Sequence, residues 1–302
     1  MKIFITGGTG LIGRAVTSRL LARGDEVEVL TRHPARARKR LPAGVTMIEG
    51  DPNLRGSWQE ELAVCDAVVN LAGESIASGR WTEKKKRALR QSRLATTGHV
   101  VEAVGRSDTC RVLVSASAVG YYGDRGAEAL TESHEPGRGF LARLTHEWEQ
   151  AAAAAEDQDR RVVRVRMGVV LAREGGALPR MLPAYRLGLG GRLGSGQQYF
   201  PWIHIDDAAG ICLFALDRDD LRGPVNAVAP DPPTQAAFAR ALCARLGRPC
   251  IMRVPGFLLQ LAVGELASGL LASERAVPNA LKAAGYRFEH GDLREALADL
   301  GL

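Results

Sequence analysis

The chain has 302 residues, of which 46% are hydrophobic, 25% charged and 5% aromatic. This balance is typical of a globular protein and excludes a disordered, collagen-like or disulfide-scaffold chain. Forty Lys and Arg residues against 34 Asp and Glu residues give a net charge of +6. The basic residues are concentrated in two clusters, at residues 32–40 and 84–93, and the first contains no Phe, Trp or Tyr. Because nucleic-acid surfaces interleave cations with aromatic side chains, we expect no nucleic-acid partner.

Five cysteines are scattered along the chain, without a C-x-x-C pair. Such a set indicates reduced thiols rather than disulfides or a zinc site. The apolar run Ile3–Ile5 is too short for a secretory signal, and no later stretch reaches the apolar length of a membrane span. We therefore expect a cytoplasmic protein without a membrane partner.

Short β-branched runs alternate with longer helical patterns through the N-terminal half of the chain. In chain order, the predicted elements are a strand at Lys2–Thr6, a helix at Leu11–Arg23, strands at Glu26–Leu30 and Ala67–Asn70, a helix at Thr82–Val104, a strand at Arg111–Ser115, a helix at Phe140–Glu156 and a strand at Arg161–Met167. Such alternation implies parallel strands joined by right-handed crossovers. The predicted fold class is α/β, a doubly wound parallel sheet of the Rossmann type.

Beyond Gly168 the chain becomes richer in Gly and Pro, and helices are predicted at Asp206–Leu216, Thr234–Leu246 and Pro255–Leu271. We expect a smaller, mixed and helix-rich C-terminal lobe. The predicted division is a dinucleotide-binding domain at residues 1–170, to which residues 203–230 return, and a substrate lobe with a helical C-terminal domain at residues 171–302.

A glycine-rich turn, residues 7–13, follows the first predicted strand and opens the first helix. Gly7 permits a tight turn, Gly10 lets the backbone approach a pyrophosphate, and Gly13 lets the helix pack against the strand. The helix start, with Leu11 and Ile12, supplies unpaired N–H groups to the phosphates. The strand before the turn and the helix after it favour a dinucleotide site over a merely glycine-rich turn.

The end of the second strand distinguishes NAD from NADP. An NAD site places an acid there to bind the ribose 2′-hydroxyl, whereas a 2′-phosphate needs a cation. This chain has Thr31 and Arg32, with Arg36 one helical turn further on. The planar guanidinium of Arg32 suits a phosphate, although a solvated loop cation is the alternative. We predict NADP(H) as the cofactor.

Together with the glycine-rich turn, motifs along nearly the whole chain resemble those of the extended short-chain dehydrogenase/reductase superfamily. The matching segments are Asn70–Glu74, Arg80-Trp81, Ser92-Arg93 with Thr97, Ser115–Gly123, Arg166–Leu171, Gly190–Gly196, Pro201–Asp207 and a tail from Pro255 to Phe288. More narrowly, the chain resembles the epimerase-like family (NAD-dependent epimerase/dehydratase-like) whose members carry a C-terminal domain of their own.

The resemblance implies further cofactor contacts. Residues 71–73, Leu71, Ala72 and Gly73, would line the ribose on the nicotinamide side, and Arg93 would reach the cofactor from the following helix. Ser115 and Met167 would flank the nicotinamide. These residues fall at or near strand ends, where an open α/β sheet places its ligands. Arg93 could also belong to a solvated basic helix face, and Asp51 could approach the adenine or be an ordinary loop acid.

The catalytic pattern of the superfamily is incomplete here. By resemblance, Ser117 is the serine that orients the substrate oxygen. The Tyr and Lys of the superfamily should follow about 25 residues later, but no lysine lies between Lys86 and Lys282 and no tyrosine between Tyr122 and Tyr185. If the protein is an enzyme, another group must therefore move the proton.

Tyr121 and Tyr122, close to Ser117 in sequence, are the first candidates for that group, ahead of Glu74 and His204, and Tyr121 is the catalytic residue that we predict. Because a tyrosine with pKa near 10 is a poor base, a cation such as Arg80 or Lys86 should lower the pKa of Tyr121. The alternatives are that Tyr121 packs beside the cofactor and that His204 is a buried strand residue. The histidines, aspartates and cysteines show no metal-ligand spacing, so no metal site is expected.

These features predict an NADP(H)-binding oxidoreductase or epimerase-like enzyme that transfers a hydride, with a nucleotide sugar or another polyol or carbonyl compound as its small-molecule substrate. The alternative is a catalytically silent NADP(H)-binding protein that senses redox state or regulates a partner. A third interpretation makes the tail, residues 234–302, a docking module. A homodimer is a further possibility that the sequence leaves open.

Overall fold

The computed structural model describes residues 1–302 except the side chain of residue 262. The strands are β1 (Lys2–Thr6), β2 (Glu26–Thr31), β3 (Thr46–Glu49), β4 (Ala67–Asn70), β5 (Val112–Ala118), β6 (Ala129–Leu130), β7 (Arg161–Met167), β8 (Val169–Leu171), β9 (Gly191–Leu193), β10 (Trp202–His204), β11 (Gly223–Ala227), β12 (Met252–Val254) and β13 (Arg275–Ala276). The helices are α1 (Leu11–Arg23), α2 (Pro34–Ala37), α3 (Trp58–Ala63), α4 (Glu83–Gly105), α5 (Phe140–Ala153), α6 (Leu178–Arg186), α7 (Ile205–Asp217), α8 (Gln235–Arg245), α9 (Gly256–Val263), α10 (Leu266–Leu271), α11 (Asn279–Ala283) and α12 (Leu293–Asp299).

Seven strands form one sheet in the order β11-β7-β5-β4-β1-β2-β3, and every neighbouring pair is parallel. From β1 the chain builds outward through β2 and β3, and it then returns to the other side through β4, β5, β7 and β11. The strand order therefore reverses between β1 and β4, and open α/β sheets bind ligands at the carboxyl ends of the strands at such a point. The predicted doubly wound parallel sheet is confirmed.

Both faces of the sheet are buried, which explains why its central strands are almost continuously apolar. Ile3 and Ile5 of β1 join one core with residues of α1 and α7, whereas Phe4 faces the opposite core beneath α3 and α4. This alternation follows from the two-residue period of a strand. Helices thus cover the sheet on each side.

The C-terminal part is helix-rich, as predicted, with three small parallel pairs: β8 with β10, β9 with β12, and β6 with β13. A third apolar core lies beneath α6, α8 and α12. The single helix expected at Pro255–Leu271 is wrong, because the chain forms two helices, α9 and α10. Gly264 has φ +66° and ψ −141°, a conformation that glycine adopts far more readily than other residues, and it ends α9.

All five cysteines are free thiols, and four of them are buried. Within the described residues, no helix combines the length and the apolar character that crossing a bilayer requires.

Candidate functional site

A groove of about 420 Å³ opens at the carboxyl ends of β1, β2 and β4, at the point where the strand order reverses. Its walls come from the glycine-rich turn, the end of β2 with α2, the segment after β3, the segment after β4, and α4. The lining residues are Gly7, Thr9, Gly10, Leu30, Thr31, Arg32, His33, Arg36, Ala37, Arg40, Pro52, Asn53, Leu71, Ala72, Gly73, Glu74, Ser92 and Thr96.

The glycine-rich turn packs so tightly that side chains are excluded at two positions. Gly7 has φ +71°, and a Cβ on it would lie 2.7 Å from the amide nitrogen of Ala72. A Cβ on Gly13 would lie 2.2 Å from the carbonyl oxygen of Gly7. The N–H of Gly10 donates a hydrogen bond to that carbonyl at 2.9 Å and closes the turn. The roles predicted for Gly7 and Gly13 therefore correspond to specific steric contacts.

The N-terminus of α1 opens beside this turn. Its cap residue is Gly10, and neither a side-chain cap nor an acid in the first turn is present among the described residues. The Leu11 side chain lies under Gly175 and Gly176, and that of Ile12 packs against the core. Leu11 and Ile12 can therefore offer backbone N–H groups only, and the uncapped helix start favours an anion.

At the β2 end the groove is strongly basic. Arg32, Arg36 and Arg40 line it together with His33. The Thr31 hydroxyl accepts a hydrogen bond from the backbone N–H of His33 at 3.2 Å, which fixes the turn after β2. Three guanidinium groups at this position can hold a phosphate group bidentately.

Asp51 lies just behind this basic end. Its Oδ1 accepts hydrogen bonds from the backbone and the side-chain amide of Asn53, both at 2.9 Å. Although burial opposes ionisation, these bonds and the charge of Arg32 lower the pKa of Asp51. Asn53, rather than Asp51, lines the groove.

A buried polar network supports the floor of the groove at the end of β4. The Thr6 hydroxyl donates to Asn70 Oδ1 at 2.7 Å and accepts from the N–H of Ala72 at 3.2 Å. The Asn70 amide nitrogen donates to Thr97 and, at 3.2 Å, to Ser115 Oγ. Ser115 is fully buried and belongs to this support, whereas Leu71, Ala72 and Gly73 line the groove itself.

Neither Arg93 nor Met167 is among the residues that line this groove. The Arg93 guanidinium packs between Gly73 and the Trp148 ring and donates to the carbonyl of Glu74 at 3.1 Å. Burial lowers the pKa of Arg93 to about 10. Met167, at the end of β7, is 8% exposed and belongs to the core.

Ser117 takes part in a buried ionic cluster. Its hydroxyl donates to Glu149 Oε1 at 2.5 Å. The same carboxylate accepts two hydrogen bonds from Arg166, at 2.8 and 2.9 Å. Arg166 and Glu149 are 2% and 3% exposed, so this bidentate pair is nearly removed from water.

Tyr121 and Tyr122 lie on the other side of Arg166. The guanidinium carbon is 3.6 Å from the centre of the Tyr121 ring, and Arg166 Nη1 donates to the Tyr122 hydroxyl at 2.8 Å. Tyr122 in turn donates to Asn226 Oδ1 at 2.7 Å. Burial raises the pKa of Tyr122 to about 12 and also raises that of Tyr121, although Arg166 acts in the opposite direction.

The expectation that Arg80 or Lys86 lowers the pKa of Tyr121 is therefore wrong. The cation beside Tyr121 is Arg166, and the loss of hydration outweighs its charge. The Lys86 ammonium is instead paired with Glu83 and Glu265, at 2.7 and 2.8 Å.

The helix α5 covers the segment in which, by resemblance, the Tyr and Lys of the superfamily would lie. Leu141 packs against Gly120, the Thr145 hydroxyl donates to the carbonyl of Leu141, and the His146 ring centre is 6.1 Å from that of Tyr121. α5 thus brings the His146 ring as well as the Glu149 carboxylate to the neighbourhood of Tyr121, and sequence reasoning singled out neither.

The other two candidates for proton transfer lie apart from this cluster. Glu74 lines the groove, but its carboxylate is paired with Lys85 at 2.5 Å, and this contact lowers its pKa. His204 is 1% exposed, caps α7 through Nδ1, and packs against His290.

The reversal of the strand order, the glycine-rich turn and the groove at the strand ends define a Rossmann-type dinucleotide-binding protein. The NAD dependent epimerase/dehydratase family model matches residues 3–227, and a domain of unknown function, DUF1731, matches residues 254–300. The chain belongs to the NAD dependent epimerase/dehydratase family, which confirms the predicted resemblance.

Proteins that are similar over the full length include the epimerase family protein Mb2239 of Mycobacterium bovis, which is 40% identical over 98% of this chain and 96% of its own. The crystal structure of the human epimerase family protein SDR39U1 (isoform 2) with NADPH has a TM-score of 0.88 and 36% identity, covering 99% of each chain. A nucleoside-diphosphate sugar epimerase from Corynebacterium glutamicum has a TM-score of 0.80 and 36% identity, covering all of this chain and 58% of its own.

Proposed function

We propose that the groove binds NADP(H). The observation that carries this proposal is the meeting of two features in one groove: the side-chain-free turn at Gly7 with the uncapped start of α1, and the guanidinium groups of Arg32, Arg36 and Arg40. The first suits a diphosphate and the second a 2′-phosphate. The human relative, whose crystal structure contains NADPH, supports the same cofactor.

In this proposal the chain holds the nucleotide mainly through its backbone. Gly7, Gly10 and Gly13, with the N–H groups of Leu11 and Ile12, bind the diphosphate. Thr31 and Arg32 hold the ribose with its 2′-phosphate, and Leu71, Ala72 and Gly73 form the wall toward the nicotinamide. By resemblance, Arg93 would reach the cofactor from α4, and Ser115 and Met167 would flank the nicotinamide.

Calorimetric titration of the purified protein with NADPH and with NADH tests the proposal. We expect NADPH to bind and NADH to bind at least about tenfold more weakly, since the lost charge-assisted hydrogen bonds are worth 1.5 kcal/mol or more, roughly. No uptake of NADPH would overturn the proposal, and equal affinities would overturn the preference.

We further propose that the protein is an oxidoreductase or epimerase-like enzyme for a carbonyl compound or nucleotide sugar. Bound NADPH supplies the hydride. Because its pKa is raised, the Tyr121 phenol is protonated at neutral pH, and it suits the role of a proton donor to a reduced carbonyl oxygen better than that of a base. Ser117, held by Glu149, positions the oxygen.

A second candidate function is that of a catalytically silent NADP(H)-binding protein that reports redox state. The observation that favours it is that Ser117 already donates to a buried carboxylate and that Tyr121 is 7% exposed and stacked on Arg166. NADPH oxidation, followed at its absorption maximum with a panel of carbonyl compounds and nucleotide sugars, separates the two functions. Turnover supports the enzyme, and binding without turnover supports the silent protein.

The remaining expectations are part of the same proposal. Residues 1–170, with residues 203–230, would form the dinucleotide-binding domain, and residues 171–302 would carry the substrate lobe. We propose a cytoplasmic location, with a homodimer as the assembly to be tested by gel filtration.

A further inference from the structure

Two histidines and two aspartates converge where the start of α7 meets the C-terminal segment, and none of them lines the groove. His204 ends β10, Asp206 lies in the first turn of α7, His290 precedes α12, and Asp299 ends α12. One ligand atom of each residue lies within 4.8 Å of those of the other three. Sequence spacing does not reveal the group, because its members come from separate segments of the chain.

The distances within this cluster suit a small cation. His204 Nε2 is 3.4 Å from Asp299 Oδ2, and His290 Nε2 is 3.7 Å from Asp206 Oδ2. Four ligand atoms at about 2.1 Å from a tetrahedral ion lie roughly 3.4 Å from one another. The four ligand atoms already lie within 4.8 Å of one another, so small side-chain rotations bring them to that spacing.

An unpartnered nitrogen points into the cluster. His204 is 1% exposed, and its Nδ1 lies 3.2 Å from the N–H of Asp206, which it caps. Among the described residues, His204 Nε2 has no hydrogen-bond partner although it is buried. Buried polar atoms are rarely left unpaired, so this nitrogen indicates a ligand that completes its environment.

The surrounding contacts preorganise the cluster. The buried carboxylate of Asp207 accepts the backbone N–H groups of Glu289 and His290, at 2.8 and 2.9 Å, and so fixes His290 beside α7. Arg19 occupies Asp206 Oδ1 at 3.3 Å and leaves Oδ2 turned toward the histidines.

We propose that His204, His290, Asp206 and Asp299 bind one divalent transition-metal ion of the zinc type. Two imidazoles and two carboxylates form a donor set that suits Zn²⁺ or Co²⁺ in tetrahedral geometry. Binding of the ion at His204 Nε2 moves the single proton of the neutral imidazole to Nδ1, and the contact in which Nδ1 accepts the Asp206 N–H is then lost. The ion joins α12 to the start of α7 and so fastens the end of the chain to the rest.

The test uses full-length protein without a histidine tag, stripped with a chelator and then dialysed. We expect one equivalent of Zn²⁺ by titration, the visible spectrum of tetrahedral Co²⁺ on substitution, and a melting temperature raised by about 5 °C at saturating zinc. His290→Gln and Asp299→Asn should each weaken zinc binding at least about tenfold. His134→Gln, which alters a histidine paired with Glu128 elsewhere on the surface, is the matched control and should bind zinc normally.

NADPH titration of the same variants reports on their folding and is independent of the ion. Stoichiometric zinc uptake that His290→Gln reduces and His134→Gln does not would support the site. Absence of an equivalent of zinc on the stripped protein, or equal uptake by the wild type and His290→Gln, would overturn it, whatever the outcome for the groove.

Discussion

Arg166 forms a bidentate ion pair with Glu149 in the protein interior, and the same guanidinium covers the face of the Tyr121 ring at 3.6 Å. The buried guanidinium of Arg166 thus contacts both the Glu149 carboxylate, which accepts the Ser117 hydroxyl, and the ring of Tyr121. This Glu and Arg pair is not the Tyr and Lys pair of the superfamily. It connects the two proposed catalytic side chains, because Glu149 contacts Ser117 and Arg166 contacts Tyr121.

Removing one member of this pair should strongly destabilise the fold. We expect Glu149→Gln to lower the free energy of unfolding by about 3–5 kcal/mol, because it leaves the Arg166 charge buried without a counter-ion. Urea denaturation followed by circular dichroism measures the change. The double variant Glu149→Leu with Arg166→Met should lose less than the sum of the single variants, and additive losses would contradict the pairing.

Arg32 should carry much of the preference for NADPH. We expect Arg32→Ala to weaken NADPH binding by about 2 kcal/mol, roughly thirtyfold, and to leave the affinity for NADH nearly unchanged. Arg38→Ala is the matched control, since Arg38 lies on the same basic segment but outside the groove lining among the described residues. Equal effects of the two substitutions would mean that general charge, rather than a phosphate contact, attracts the nucleotide.

Gly13 and Gly98 are both helical glycines, but their surroundings differ. A Cβ on Gly13 would meet the Gly7 carbonyl at 2.2 Å, whereas nothing lies within 4 Å of a Cβ on Gly98. We expect Gly13→Ala to abolish measurable NADPH binding and to destabilise the protein, and Gly98→Ala to stabilise it by about 0.5–1 kcal/mol. Thermal unfolding and NADPH titration test both, and an unimpaired Gly13→Ala would refute the tight turn.

Tyr121 is expected to act only in turnover. If the protein reduces a carbonyl compound, Tyr121→Phe should lower kcat by about 10²–10⁴-fold and leave the affinity for NADPH within a factor of about two. Single-turnover kinetics with the first active substrate measures this effect. His146→Gln, which alters the neighbouring ring, separates proton donation from packing: the phenol remains, so a comparable loss in that variant would argue against Tyr121 as the donor.

Glu274 should make stability depend on pH. Burial raises the pKa of its carboxyl to about 8, and the nearby Asp124 carboxylate adds to the effect. Between the ordinary value of 4.5 and about 8 the folded protein holds a proton that the unfolded chain has lost, so stability falls as pH rises through this window. Glu274→Gln should therefore be more stable than the wild type at pH 9, by about 2 kcal/mol, and equal to it near pH 4.5.

Urea denaturation at both pH values measures the difference for Glu274→Gln. The substitution Glu156→Gln, at an exposed residue, is the control for a general effect of removing a carboxylate. A difference for Glu274→Gln that does not depend on pH would contradict the raised pKa.

The sequence alone predicts the sheet well, because its strands are short apolar runs that follow helices at regular intervals. The observed bounds of β1, β4, β7 and α1 equal the predicted ones. The glycine-rich turn is equally predictable, since its mechanism requires glycine at fixed spacing after a strand. The end of α9 at Gly264 could not be predicted from the sequence. A single glycine in an apolar helix is usually tolerated, and only the tertiary packing gives Gly264 a φ of +66°.

The interior of the candidate site was harder to predict. Glu149 and Arg166 pair across α5 and β7, and no local pattern connects a helix acid to a strand arginine. A signal existed in principle, because Arg166 interrupts an apolar strand and Glu149 lies on the buried face of an amphipathic helix. Buried charges of this kind normally have partners, but their sequence positions do not name them.

The small pairing of β13 with β6 ties the end of the chain to the segment that follows Tyr122. The side-chain amide of Asn226 donates to the carbonyls of Leu130 and Val277, while its oxygen accepts the Tyr122 hydroxyl. A chain that ended before β13 would therefore lack the Val277 contact of Asn226 and expose Tyr122 and its neighbour Tyr121 to water. Part of the DUF1731 region therefore covers Tyr121 and Tyr122. We expect residues 3–227 and residues 254–300 to unfold as one cooperative unit.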